Sequence, residues 1–360
     1  IVAERMEQLL NVLIDEGLED QFHPSYTRMV PAHYVVEIAL VGCPDPNPIN
    51  TRFFTPKRNV LSADIDEIGH HYIGKVTEVI DKWLDNIDDS EPLGVLFSGG
   101  VDSGAILILL QHLLLKRGQP ANRLKAFTLN VDETSQDTNQ AKRFVDEVGM
   151  SMFLEVINVN QKDIDFKTTI KLIEDYKPLD VQSATMAYAL LKKVRKLYPD
   201  WYHLIDGDGG DENLKDYPIE DNPELTIASV LNNLMLYQEG WGIDSIKHSL
   251  TYSGGQSRGH VRTYAPAAIL GFRGFSPFTV PSVIDIAEGI PFVELTGWDH
   301  EKLYELKGEV VSKGVQAVTG VRMPVFTKRR FQHGVSSKEI FQESFPISDQ
   351  TYREVFSEVF

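Results

Sequence analysis

The run Leu93-Gly94-Val95-Leu96-Phe97 passes without interruption into Ser98-Gly99-Gly100-Val101-Asp102-Ser103 and then into Gly104-Ala105-Ile106-Leu107-Ile108-Leu109-Leu110. A strand-length stretch with no alternating polar residue suits a strand covered on both faces, and the segment after the turn is helix-length and equally apolar. A chain with such a unit is constrained to a parallel sheet layered between helices. The turn itself has the composition of an anion cradle. Its glycines let the backbone approach an anion closely, and the amides and hydroxyls that open the helix can hold oxygens where the dipole favours negative charge. Asp102 adds a hard oxygen ligand, the type that binds Mg²⁺ beside phosphates. No Gly-x-x-x-x-Gly-Lys-[Ser/Thr] occurs in the chain, so this is a different kind of phosphate loop.

Further strand patterns recur at Leu124–Asn130, Phe153–Val159 and Tyr202–Asp206, each separated from the last by a helical pattern. Such alternation predicts an α/β fold, a parallel sheet with helices on both faces. Upstream, residues 1–20 read as an acidic amphipathic helix and Ile65–Leu84 as a second helix. Between them, Cys43-Pro44-Asp45-Pro46-Asn47-Pro48 reads as an ordered loop, because proline removes donors and forces its predecessor out of helix. The composition divides near residue 90. The expected organisation is an accessory N-terminal region of α+β character over 1–90 and a nucleotide-handling domain over 91–360.

Charge and cysteine content narrow the function classes. The net charge of −17 would repel a phosphate backbone, so a nucleic-acid partner is not expected. Cys43 is the only cysteine, which excludes an intrachain disulfide and any Cys-x-x-Cys metal or redox site. The longest apolar stretch, Ala105–Leu115, is broken by Gln111 and His112 and falls far short of the ~20 residues a bilayer needs, so no membrane association is expected. A cytoplasmic location is the corresponding expectation.

In sheets of this kind ligands bind beyond the carboxyl ends of the strands. After the second strand come Asp132, Glu133, Ser135 and Asp137, which suit helix capping as well as they suit catalysis. After the fourth comes Asp206-Gly207-Asp208-Gly209-Gly210-Asp211-Glu212. Four carboxylates within seven residues repel one another unless a cation or ligand collects them. With Ser98–Ser103 at the same end of the sheet, this segment would supply the second half of a Mg²⁺-phosphate site.

The Ser-Gly-Gly-Val-Asp-Ser loop resembles that of the ATP pyrophosphatase superfamily, whose members cleave ATP between the α- and β-phosphates. Paired with Gly-Asp-Gly-Gly-Asp-Glu, it resembles the synthetase domain of the asparagine synthetase family, from roughly Leu93 to Val335. The resemblance implies Asp102 and Asp211 as Mg²⁺ ligands and Ser98, Gly99, Gly100 and Ser103 as the pyrophosphate cradle. It implies Leu96 and Leu129 as strand-end positions flanking adenine, Asp206 and Gly207 as the segment beside ATP, and Lys328, in Lys328-Arg329-Arg330-Phe331-Gln332-His333-Gly334-Val335, as the catalytic lysine. A lysine there would offset the charge that builds on the α-phosphate and acyl-adenylate.

The implied reaction adenylates a substrate carboxylate, releases pyrophosphate, and then passes the acyl group to ammonia or another amine with loss of AMP. Asp208 stands where asparagine synthetase-like members carry an acid and β-lactam synthetase-like members a tyrosine. It suits guiding or deprotonating an external amine. Glutamine hydrolysis is not expected, since family glutaminases use an N-terminal cysteine and Cys43 lies in a proline-rich loop. Ammonia would then come from solution or from a separate glutaminase or amine-supplying partner protein, and a homodimer is a further expected assembly. The family pattern E-x-R-x-P-F-L-D appears as Arg273-Gly274-Phe275-Ser276-Pro277-Phe278-Thr279-Val280, with both acids and the arginine replaced, which counts against aspartate as the substrate.

Other readings stay open on these residues: a tRNA-modifying or sulfur-inserting relative, a cyclising synthetase of the β-lactam synthetase or lasso cyclase type, and a nucleotide binder without chemistry. Arg258 and Arg262 are candidates for gripping a substrate carboxylate. His70 and His71 are expected at the surface, and Trp241, Trp298, Tyr264 and Phe272 in the core or a pocket wall.

Overall fold

A computed structural model of the chain describes residues 3–23, 34–38, 49–131, 135–217, 219–220, 226–232, 260–326 and 338–360. Its centre is a five-stranded, wholly parallel sheet in the order β5-β4-β3-β6-β7. These strands are β3 (Leu93–Leu96), β4 (Leu124–Asn130), β5 (Leu154–Asn158), β6 (His203–Ile205) and β7 (Arg273–Phe275). The two remaining strands, β1 (Tyr34–Glu37) and β2 (Ile49–Arg52), form a small antiparallel pair. With α1 (Met6–Asp15) they give the N-terminal portion its α+β character.

The connecting and flanking helices are α2 (Ile65–Leu84), α3 (Val101–Lys116), α4 (Gln136–Glu147), α5 (Phe166–Ile173), α6 (Pro178–Leu197), α7 (Gly210–Asn213), α8 (Ile227–Asn232), α9 (Ala265–Ile269), α10 (Pro281–Glu288), α11 (Phe292–Thr296), α12 (His300–Thr319), α13 (Lys338–Ser344) and α14 (Asp349–Val359). The α/β architecture anticipated from the apolar runs is thus present, and the four anticipated sheet strands lie within about a residue of their expected limits. β7 was not anticipated. Three residues, Arg-Gly-Phe, are too few to show a period.

The period of two within strands decides which helices lie where. Leu93 and Val95 of β3, Leu124 and Ala126 of β4 and Ile205 of β6 face a core shared with α2, α3, α4, α10 and α12. Phe127, Leu129, Ile157 and Leu204 face the opposite way, onto Met186, Leu190 and Leu191 of α6. A third cluster joins Met6 of α1 to Ile170 and Ile173 of α5, Val181 of α6 and Tyr352 of α14. There Glu174 accepts from the amides of Met6 (2.9 Å) and Glu7 (3.3 Å), satisfying two donors of α1's open end.

α2 and α12 cross where glycine meets glycine. A Cβ on Gly69 would lie 2.7 Å from the carbonyl oxygen of Val310, and one on Gly314 would run into the carbonyl of Gly69. The helices therefore touch backbone to backbone, and α12 sits deep enough to reach the sheet's functional edge. Gly314→Ala is expected to lower stability by about 1–3 kcal/mol despite alanine's better helix propensity, because overpacking against backbone outweighs the propensity gain. Urea unfolding measures this, and an unchanged midpoint would show the crossing to be yielding.

Candidate active site

β3 pairs with β4 on one side and β6 on the other, so the chain reverses its direction of travel across the sheet between β3 and β6. The carboxyl ends of parallel strands at such a point form the crevice in which α/β folds bind ligands. Both motif loops leave the sheet there.

The first loop is pinned at its base. Phe97 donates its amide to the carbonyl of Phe127 at 2.9 Å, and Thr128 Oγ1 donates to the carbonyl of Phe97 at 2.6 Å. Gly99 adopts φ +74°, and its ideal Cβ would sit 2.7 Å from the amide nitrogen of Ala141, so α4 packs directly on the turn. Gln140 Nε2 donates to the Gly99 carbonyl at 3.1 Å. Ser98 Oγ lies 3.2 Å from Ser103 Oγ and accepts from the amide of Gly100. Gly100 is the N-cap of α3 and has no side chain with which to cap it. The first-turn amides of α3 are thus not covered by their own cap, as an oxyanion-binding helix end requires.

The second loop lies against the first. A Cβ on Gly207 would be 2.8 Å from the amide nitrogen of Ser103 and 2.9 Å from Cβ of Asp102, and one on Gly210 would strike the Asp102 carboxylate. Gly209 turns the chain with φ +94° into α7. Asn213 of α7 donates from Nδ2 to the carbonyl of Phe278 (2.8 Å) and to Tyr72 Oη of α2 (3.2 Å), which fixes the acidic turn from behind.

Asp102 and Asp211, the expected metal ligands, converge on a single cation. That cation is Lys307 of α12, 4% exposed, whose Nζ lies 2.5 Å from Asp102 Oδ2, in contact with Asp211 Oδ1 and 3.4 Å from Asp216 Oδ2. Burial acts to lower the Lys307 pKa, but the three carboxylates outweigh it and raise it well above the usual value, so the ammonium is charged. Sequence reasoning missed this residue. The signal was there, since Lys307 falls on the buried stripe Leu303, Leu306, Val310, Val311 and Gly314 where an apolar residue is expected.

Asp206 and Asp208 form a different environment. Asp206 is buried beneath the turn, and its Oδ1 accepts from the amide of Asp208 at 3.0 Å. Burial, and then the Asp208 charge, hold its carboxyl well above the usual range. Burial also raises Asp208, against a hydrogen bond from Thr263 and the positive charge of Arg262. Its shielded Oδ2 has no hydrogen-bond partner among the described residues.

Arg262, expected as a carboxylate grip for substrate, instead pairs with Asp180 of α6 at 2.7 Å from both Nε and Nη2. Leu129 is buried in the core on the α6 side, and Leu96 is half-buried beside it. Ser135 caps α4 by accepting from the amide of Thr138 at 3.3 Å. His70 and His71 are exposed, as expected. Phe272 is buried, whereas Tyr264 and Trp298 are 44% and 46% exposed and so lie outside the core, the first of the two places expected for them. Cys43, Asp132, Glu133, Trp241, Arg258 and the segment 328–335 with Lys328 lie outside the described residues.

Residues 79–255 match the family model described as asparagine synthase, a stretch that contains both loops. The chain thus carries an asparagine synthase domain over these residues. No curated protein matches the chain. At family level such a domain points to an ATP-dependent ligase that forms amide bonds. The match ends before Arg262, Lys307 and Lys328, so those residues rest on other grounds. No described helix is long and apolar enough to cross a membrane.

Two outcomes follow from the geometry. Gly207→Ala forces the loops apart at Ser103 and is expected to weaken ATP binding about tenfold or more, roughly 1.4 kcal/mol, with the far-ultraviolet circular dichroism unchanged; calorimetric titration with ATP measures it. The second concerns Asp175, which is fully buried, accepts from the amides of Tyr176 and Lys177, and precedes α6. Burial and the nearby Asp180 charge push its carboxyl up from 3.8 to about 7. A raised folded-state value makes its stabilising contribution complete below pH 3.8 and lost as pH climbs through 7. Asp175→Asn should therefore flatten the fall of stability between these limits, by up to about 1.4 kcal/mol per pH unit; chemical denaturation at stepped pH would expose an unaltered slope.

Proposed function

We propose that this protein adenylates a carboxylic acid with ATP, releases pyrophosphate, and transfers the acyl group to ammonia or another amine with release of AMP. The observation that carries this reading is the meeting of the two loops at the β3–β6 switch point, with Gly207 pressed on Ser103 and Asp102 and Asp211 converging on one cation position. Ser98, Gly99, Gly100 and Ser103 with the opening amides of α3 are the proposed pyrophosphate cradle, and Leu96, Leu129, Asp206 and Gly207 the proposed nucleotide-flanking positions.

Asp102 and Asp211 are suited to Mg²⁺, because both offer hard oxygen donors directed at the same point. Mg²⁺ bound there would take its remaining ligands from phosphates and water. When bound, the ion would neutralise charge on the departing pyrophosphate. Every other part of the chemistry falls to the chain. The α3 amides and the serine hydroxyls orient the phosphates, and Lys328 is proposed to offset negative charge at the α-phosphate and the acyl oxygen.

Asp208 is the proposed acceptor for the amine proton. Its burial makes it a stronger base than a free carboxylate, and Thr263 and Arg262 keep it ionisable. We further propose that residues 1–90 act as an accessory region to a synthetase domain over 91–360, and that ammonia, where it is the acceptor, arrives from solution or from a separate donor protein.

ATP–pyrophosphate exchange across a panel of carboxylic acids tests the activation step without knowledge of the amine. Exchange is expected with a subset of acids, and to fall about 100-fold or more in Asp211→Asn and in Lys328→Met. Nucleotide binding without exchange for any acid would remove the enzymatic reading. An unaltered rate in Asp211→Asn would remove that residue from the metal.

A further inference from the structure

The ammonium of Lys307 and a divalent cation have the same two ligands. Asp102 Oδ2 and Asp211 Oδ1 both contact Nζ, and Asp216 Oδ2 stands 3.4 Å away as a third carboxylate. A divalent ion drawn to these carboxylates meets a positive charge already seated between them, in a place shielded from water where like charges repel strongly. Removing the ammonium to bulk water is opposed by the burial of Lys307 on the same stripe of α12 as Leu303, Val310 and Val311, a helix itself locked to α2 through Gly69 and Gly314. The ammonium therefore has to remain close by. A nearby anion would accept it, and the cradle that contains Asp102 is where phosphate oxygens are proposed to sit. Lysine suits such a transfer, being a compact charge with three donors on a flexible stem.

We infer that Lys307 competes with the divalent cation for Asp102 and Asp211, so that the metal binds well only together with a phosphate ligand that takes over the ammonium. The inference rests on the metal reading proposed above. It makes metal and nucleotide entry mutually dependent, and it restrains the site from filling with a metal that has no phosphate to act on.

Mn²⁺ is the probe, with protein-bound ion followed by electron paramagnetic resonance and water proton relaxation, and pyrophosphate is the phosphate ligand. Native protein is expected to hold Mn²⁺ at least tenfold more tightly with pyrophosphate than without. Lys307→Met is expected to bind Mn²⁺ alone at least tenfold more tightly than native protein, and to gain thermal stability from it. Equal Mn²⁺ affinity in native protein with and without pyrophosphate overturns the inference, and so does a Lys307→Met protein that binds Mn²⁺ no better than the native one. If that variant does not fold, the native comparison alone decides. Asp211→Asn separates the two levels. Ternary Mn²⁺ binding undiminished in Asp211→Asn defeats the metal assignment itself, whereas its loss there, together with unchanged binding in Lys307→Met, defeats only the competition.

Discussion

A buried ammonium among three carboxylates holds the functional edge of this protein together. Lys307 arrives from α12, Asp102 from the first turn of α3, Asp211 from α7 and Asp216 from the chain just beyond it. Desolvating such a group costs several kcal/mol per ion, and only close pairing offsets it. The cluster is therefore stable only while all its segments stay in register. That register is set well away from the charges, by the glycine crossing of α2 and α12 and by Tyr72 of α2, whose ring stacks on Phe278 and whose hydroxyl accepts from Asn213. Packing and electrostatics are in this way one constraint. Moving α12 outward would both open the core and leave three carboxylates facing one another.

The parts of the fold legible in the sequence are those whose physics is local or strongly periodic. β3 through β6 announce themselves as apolar runs because both faces of the sheet are covered. The two loops announce themselves because glycine, serine and aspartate are dense there for a reason of close approach, visible in what a Cβ at Gly99, Gly207 or Gly210 would meet. Lys307 was hidden because one lysine in a twenty-residue helix resembles any solvated lysine until its place on the buried stripe is noticed. The pairing of Arg262 with Asp180 is not legible locally, because the two lie eighty-two residues apart in the chain and meet only where α6 packs on residues 260–264. β7 and the β1–β2 pair are short, and their existence depends on neighbours rather than on their own composition.

The departure from the family pattern in Arg273–Val280 acquires a physical reading from the same contacts. The retained Pro277 and Phe278 lie in the core. Phe278 stacks on Tyr72, and its carbonyl accepts from Asn213, so Phe278 braces the acidic turn from behind. Arg273 and Phe275 belong to the edge strand β7, where the carbonyl of Phe275 receives the amide of Asp206. The retained Phe278 thus supports the acidic turn, while of the altered residues Arg273 and Phe275 lie on the edge strand beside β6 and Val280 is the N-cap of α10.

This division explains why activation is easier to read than acceptance. Asp102 and Asp211 come from compact motifs and meet one cation, whereas the proton affinities of Asp206 and Asp208 are raised by burial and drawn back down by Ser276, by Thr263 and by Arg262, itself held by Asp180. Four separate segments set that second environment, so no short run of sequence encodes it. A carboxylate raised by burial responds steeply to any change in the groups around it, since each opposite charge nearby shifts its proton affinity by a unit or more. Substitutions in α6 or in residues 260–264 can therefore shift the proton affinity of Asp208, the proposed proton acceptor, while the Ser98–Ser103 loop and the Lys307 cluster remain as they are.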